Sequence, residues 1–206
     1  MVGIADIAGS LEGVVPMATT RALRLWMQVS LDGFVAGPGG EFDWPTYEKE
    51  LHTFAVEQAG DVGAMLYGRK VYEGMAAYWP DPTRYPGATE LDLRYSEIWK
   101  RVPKYVFSTT LDEASWNTTV VAEDLVEVVR ELKAAPGGDL VLFGGAEIAA
   151  TFVRERLIDE YWLFVHPIVL GGGTPLFPAL DERLPMELVE SRIFDSAVTH
   201  LRYRAT

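Results

Sequence analysis

The sequence predicts an α/β domain with a largely parallel sheet, and three observations predict it. Short apolar runs alternate with stretches of helical periodicity along most of the chain, the pattern of right-handed βαβ crossovers. A unit of strand, glycine and helix recurs, first in "LYGRKVYE" and again in "VLFGGAEIAATF". The last two apolar runs, about 186–194 and 197–205, have only a short polar break around Asp195 and Ser196, so an antiparallel hairpin should finish one edge. At 206 residues the chain suits one sizeable core better than two. One domain is therefore expected over residues 21–206, behind a loose arm at 1–20 that lacks periodicity; Met17 offers a second plausible start.

The elements follow in order. From Arg24, "LRLWMQVS" is short, apolar and strand-compatible, and "LDGFVAGPGGEFDWP" then carries Gly33, Gly37, Gly39 and Gly40 with two prolines, the composition of a mobile loop. In "TYEKELHTFAVEQAG" Tyr47, Leu51, Phe54 and Ala55 share one helical face, and Gly60 ends the helix. "AMLYGRKVYEGMAAYWP" reads as a strand at 64–67, a glycine, and a helix closed by Pro80. A polar connection and a helix over about 90–100 lead to a strand at 104–108 in "KYVFSTT". Leu125, Val128, Val129 and Leu132 recur at helical spacing before Pro136 and two glycines. "DLVLF" is a strand, Gly144-Gly145 the turn, 146–156 a helix and "EYWLFVHPIVL" a long strand.

Composition narrows the function classes. Nearly half the residues are hydrophobic and 23% are charged, a globular mixture. No apolar run approaches the roughly 20 residues of a membrane span, and no basic segment precedes the mildly apolar start, so a cytoplasmic protein without a membrane partner is expected. The absence of cysteine removes disulfides and thiolate chemistry. A net charge of −12 has the wrong sign for collecting phosphates along a duplex, so nucleic acid is not an expected partner. His52, His166 and His200 are scattered without an i, i+4 pair, and no metal site is expected. Neither G-x-S-x-G, G-x-G-x-x-G nor a P-loop occurs.

The glycine turns carry the chemistry that remains. A helix start leaves about four N–H groups unpaired at its positive end, so a helix opening behind a parallel strand can hold an anion, and a glycine before it lets the anion come close. "LFGGAEI" and "YGRKVYE" share that arrangement, with Arg69 and Lys70 adding charge to the second. A tight βα turn would use the same glycines, and the residues leave both readings open. "LGGGTPLF" precedes a proline and no helix, so a bend with close backbone approach is the expectation there. Asp32, Asp43, Glu48 and Glu50 bracket the glycine-rich loop, where a carboxyl group in a cleft could pass a proton, or serve as an N-cap or solvated charge.

In order, "MQVSLDGFVAG", "LYGRKVYEGM", "VFSTT", "LVLFGGAEIAATFV" and "HPIVLGGGTPLF" resemble the reductase domain of the riboflavin-biosynthesis deaminase/reductase and, more distantly, dihydrofolate reductase, over about residues 23–204. The resemblance implies a dihydrofolate reductase-like three-layer fold, with a mixed, mainly parallel sheet of about eight strands, and use of NADPH. It sets Gly144, Gly145 and the N–H groups of Ala146, Glu147 and Ile148 against the cofactor pyrophosphate. Gly68, Arg69 and Lys70 meet the phosphates from the other helix, and Ser108 with Thr109 meet the adenosine 2′-phosphate region.

A small-molecule substrate would lie between the first strand, its loop and the first helix. Glu50 matches the helix carboxylate of folate reductases, Asp32 of "SLDG" is a motif residue of the riboflavin branch, and Asp43, Trp44 and Tyr47 line the substrate side. Val165 stands where folate reductases carry a threonine, which disfavours folate, and the zinc deaminase half is absent. The expectation is a stand-alone NADPH-dependent reductase of a small pterin- or pyrimidine-related or carbonyl-like compound, resembling 5-amino-6-(5-phosphoribosylamino)uracil reductase. A true dihydrofolate reductase, a non-catalytic nucleotide-binding module and a scaffold protein are the alternatives. An open edge strand makes a homodimer the expected assembly.

Overall fold

The structure is a computed structural model that describes residues 20–206. The arm expected over 1–20 lies outside the described residues except for Thr20.

The first strand, β1 (Leu23–Ser30), buries side chains on both faces, as a central strand of a parallel sheet must. It is followed by a three-residue strand β2 (Phe34–Ala36), helix α1 (Lys49–Ala59), β3 (Ala64–Gly68), α2 (Arg69–Tyr78), a single 3₁₀ turn at Pro82–Arg84 and α3 (Glu90–Arg101). Then come β4 (Lys104–Phe107), β5 (Thr118–Val121), α4 (Leu125–Ala134), β6 (Leu140–Leu142), α5 (Ala146–Arg154) and β7 (Glu160–His166). A two-residue strand β8 (Thr174–Pro175) and the hairpin β9 (Met186–Ile193) and β10 (Thr199–Ala205) end the chain.

The main sheet has eight strands in the order β5-β4-β3-β6-β1-β7-β10-β9. The first six are mutually parallel, β10 runs antiparallel to β7, and β9 antiparallel to β10. The expected dihydrofolate reductase-like architecture and its terminal hairpin are therefore present. The strand expected through "EYWLFVHPIVL" stops at His166, because Pro167 has no N–H to continue a ladder. Tyr47, expected on the first helix, precedes it: Glu48 is still extended and the helix opens at Lys49.

Two layers of helices cover the sheet. On one face α4 and α5 set Val129, Ala149, Phe152 and Val153 onto Leu25, Leu66 and Leu142. On the other, α1, α2 and α3 set Val56, Tyr72, Tyr95 and Trp99 onto Met65, Tyr67, Val106 and Val141. Next to this second cluster, Leu51, Trp162, Phe164, Phe194 and Val198 form an aromatic core under α1. The small sheet of β2 and β8 folds the glycine-rich segment back toward the 170s loop. A Cβ on Gly173 would lie 2.0 Å from the Ala36 carbonyl oxygen, so the close backbone approach expected of that glycine cluster is real.

Candidate functional site

Neighbouring β3 and β6 send their outgoing helices to opposite faces of the sheet, α2 to one and α5 to the other. The crevice at such a reversal is where open α/β sheets take ligands. Here the two glycine turns meet. The Gly68 N–H donates to the Gly144 carbonyl at 3.2 Å, and Gly68 and Gly145 are the N-caps of α2 and α5. Neither helix has a side-chain cap, whereas α3 carries a full capping box in which Thr89 and Asp92 serve each other's backbone N–H. The first-turn N–H groups of Ala146, Glu147 and Ile148 and of Arg69 and Lys70 thus stand at two adjoining helix starts without side-chain caps.

The adjacent glycines do different work. Gly144 has φ +89° and Gly145 φ +90°, a region that strains any L side chain. Gly144 is buried, and a Cβ on it would meet Met27 Cε at 3.2 Å, so its bareness serves core packing beneath the crevice. A Cβ on Gly145 would meet Ile148 Cγ2 at 3.1 Å, and one on Gly68 would meet the same atom at 3.2 Å. Ile148 is the wedge around which both turns close.

The outer residues stand along the same edge. The Arg69 guanidinium pairs with Glu73 one turn on, at 2.9 Å, and Lys70 is exposed. Ser108 uses its hydroxyl to accept from the N–H groups of Thr110 and Leu111, both at 3.1 Å, which shapes the turn after β4 and leaves Thr109 exposed. From β4 to β7 the edge crosses four strand spacings, on the order of 19 Å. That length suits one extended ligand.

On the other side of β1 the two expected proton carriers are tied down. Asp32 accepts from the Ser30 hydroxyl at 2.7 Å and from the N–H groups of Leu170 and Gly171 at 3.1 and 2.8 Å, bonds that hold its carboxyl below the ordinary value. It clamps the glycine-rich segment to the loop after β7. Glu50 accepts from Arg192 at 2.6 Å and from the Asp195 N–H at 2.8 Å, and Arg192 leads the causes that lower its pKa. It fastens α1 to the β9–β10 hairpin. A carboxyl group stabilised as the anion is a poor proton donor near neutrality, so the geometry gives both residues a holding role. Asp43 is exposed.

Trp44 and Tyr47 meet two residues that the sequence reading did not single out. Buried Gln28 and His166 bond through Gln28 Oε1 and His166 Nε2 at 2.7 Å, while the Thr46 N–H approaches His166 Nδ1 at 3.3 Å. A backbone N–H can only donate, so Nδ1 accepts, Nε2 carries the hydrogen, and the Gln28 oxygen must face it. Burial pushes the His166 pKa down to about 4 and keeps the ring neutral. The Trp44 indole stands edge-on to this imidazole, with centroids 5.4 Å apart. Tyr47 has a half-exposed ring, yet its hydroxyl reaches in beside Gln28, where burial raises its pKa. Gln28 Nε2 and Trp44 Nε1 are buried with no hydrogen-bond partner among the described residues. The available signal was an amide near the end of a mainly apolar strand and a histidine ending another.

Elsewhere, a shallow cavity of about 390 Å³ lined by Arg21, Arg130, Lys133, Arg156 and Asp159 lies at the opposite end of the strands, away from both glycine turns. Among the described residues no cluster of three or more histidine, aspartate or glutamate side chains could hold a metal ion, and no helix is long and apolar enough to cross a membrane.

Residues 21–200 match the family model for the RibD C-terminal domain. The chain is 35% identical to the uncharacterised protein YyaP of Bacillus subtilis over 189 residues, 89% of this chain and 94% of that one. Its fold matches a candidate riboflavin biosynthesis protein from Shewanella sp. PV-4 with a TM-score of 0.71 and 25% identity, over 90% of this chain and 99% of that one. Two further structures share the fold at lower identity. One is the diaminohydroxyphosphoribosylaminopyrimidine deaminase/5-amino-6-(5-phosphoribosylamino)uracil reductase of Thermotoga maritima (TM-score 0.64, 15% identity, 91% of this chain and 57% of that one). The other is Enterococcus faecalis dihydrofolate reductase complexed with NADP(H) (TM-score 0.61, 16% identity, 90% and 96%).

Proposed function

The chain belongs to the RibD C-terminal domain family, and from that premise we propose that it is an NADPH-dependent reductase of a small pterin- or pyrimidine-related or carbonyl-like compound. The observation that carries the reading is the pair of uncapped helix starts meeting at β3/β6, where the bare Gly68 and Gly145 let the two turns close on Ile148 and on each other. Backbone donors and helix dipoles aimed at one place are what a pyrophosphate requires. In this reading Ala146, Glu147 and Ile148 hold the pyrophosphate by their N–H groups, beneath them Gly144 sets the turn, Arg69 and Lys70 supply charge, and Ser108 with Thr109 receive the adenosine end. When bound, the dinucleotide supplies the hydride.

The chain's own residues position the acceptor. Asp43, Trp44 and Tyr47 border the substrate side, while Asp32 and Glu50 act as positioning carboxylates that hold the loop and α1 in place. We extend the proposal to a homodimer through β9, whose outer edge is unpaired among the described residues and exposes Leu188, Val189 and Ile193. Such an edge invites a second strand, and a two-fold axis closes the pairing.

Melting with and without NADPH tests the cofactor reading. Ligand at 100 times its dissociation constant adds about 2.7 kcal/mol, so the midpoint should rise by roughly 5–11 °C for a chain of this size. No rise would remove the reductase and the nucleotide-binding module together. A rise without NADPH oxidation across pterins, aminopyrimidines and small carbonyl compounds would favour the binding module.

A further inference from the structure

We infer that Gln28 and Trp44 form a two-donor clamp for a hydrogen-bond-accepting oxygen of the substrate, so that the site selects a carbonyl-bearing edge over an amino-bearing one. The inference rests on the reductase reading for the word substrate, and on two orphaned donors for the rest.

Gln28 is 4% exposed, and its amide orientation is forced, because the Thr46 N–H fixes the His166 tautomer and the tautomer fixes the oxygen. Its NH₂ group is therefore the end left over, and it is buried without a partner. The Trp44 indole N–H is in the same condition, and an indole nitrogen can only donate. Both side chains pack on one imidazole, Gln28 through a hydrogen bond and Trp44 edge-on. Buried polar groups in folded proteins are almost always paired, so two orphans of the same sign beside one ring call for an acceptor from outside the chain.

The surrounding charges agree with that sign. Asp32 and Glu50 spend their oxygens on Leu170, Gly171, Arg192 and Asp195, and Asp43 and Glu48, the chain neighbours of Trp44 and Tyr47, are exposed. His166 presents a hydrogen to Gln28 and its lone pair to Thr46, so neither nitrogen is left to receive a ligand donor. The Tyr47 hydroxyl stands beside the Gln28 amide, which opposes the rise that burial gives its pKa, and adds a third polar group there. An amino group entering here would set its hydrogens against two N–H donors. A carbonyl oxygen has two lone pairs for the two donors.

The test uses the whole chain with NADPH present and two probes on one ring, uracil and 2,4-diaminopyrimidine, titrated by calorimetry. Uracil should bind at least about tenfold more tightly, one unsatisfied buried donor being worth a factor of that order. Trp44→Phe keeps the ring and loses the N–H, and should weaken uracil about tenfold without strengthening the diamine. Gln28→Glu keeps an oxygen for His166 and turns the free NH₂ into an acceptor, and should move the preference toward the diamine. Should Gln28→Glu fail to fold, Trp44→Phe decides alone, since Trp44 is only partly buried. A wild-type preference for the diamine, binding of neither probe, or a preference unmoved by both substitutions would overturn the clamp. The melting response to NADPH reports separately on the reductase reading, so a cofactor shift with no uracil preference sinks the clamp alone.

Discussion

The paired turns at β3/β6 and the side-chain cluster at β1/β7 lie at the same edge of one sheet and are made of different materials. The first is backbone: two glycine N-caps, uncapped N–H groups and a wedge, Ile148, that both turns close upon. The second is side chains: Gln28, His166, Trp44 and Tyr47, drawn from two strands and a loop. A site of peptide groups recognises a shape of charge common to many ligands. A site of side chains can specify one edge of one molecule, and it changes with every protonation its members undergo. The halves should therefore fail under different insults.

Acid is the insult with the largest expected effect, and it should strike the side-chain half. His166 and His200 are buried neutral, each with its pKa pushed down to about 4, chiefly by burial. His200 stacks on Phe164 at 4.7 Å and has no partner for either nitrogen. Both rings take protons more readily in the unfolded chain, whose histidines titrate near 6.5. Their contribution is complete above pH 6.5, falls as the pH drops toward 4, and is spent below that. A depression of this size amounts to about 3 kcal/mol for each ring. Melting midpoints should fall steeply between pH 6.5 and 4. His200→Phe should remove roughly half of that slope, and an unchanged slope would assign it to other groups.

The contrast also explains what could be read from the chain in advance. Five of the six parallel strands, their helices and the terminal hairpin were legible because burial on both faces leaves continuous apolar runs, and the glycine turns because a helix start is a local feature. β2 and β8 have three and two residues, and β5, "TTVV", lies at the sheet edge half covered, so none leaves a periodic signal. The Gln28–His166 bond joins residues 138 positions apart through the register of β1 on β7. No spacing rule reaches that far. Asp32 and Glu50 were visible as acidic residues near a loop, but their partners at 170–171 and 192–195 decide their role and lie at the other end of the chain.

The backbone half should break by a methyl group. Gly145→Ala forces a residue with a Cβ to φ +90° and drives that Cβ toward Ile148. The strain is on the order of 1–3 kcal/mol, smaller than the acid effect, and it falls on the turn that presents Ala146, Glu147 and Ile148. The NADPH-induced rise in melting point should shrink well below that of the wild type, while the preference for uracil over 2,4-diaminopyrimidine should persist. Loss of both together would mean that the two halves form one unit.

The smallest effect should come from a glycine that belongs to neither half. Gly74 lies within α2, exposed, and an added Cβ would meet nothing within 4 Å. Its backbone is already helical, so the bare position only widens the unfolded ensemble that folding must narrow. Gly74→Ala should therefore stabilise the chain by about 0.5–1 kcal/mol, or roughly 1–4 °C in melting point, with the NADPH response untouched. The pair of substitutions separates two meanings of one residue type: at 145 glycine is required by conformation and contact, at 74 by neither. If Gly74→Ala weakened NADPH as much as Gly145→Ala, the cofactor response would track the rigidity of α2 as a whole, and the crevice would lose its claim to be a site built from two turns.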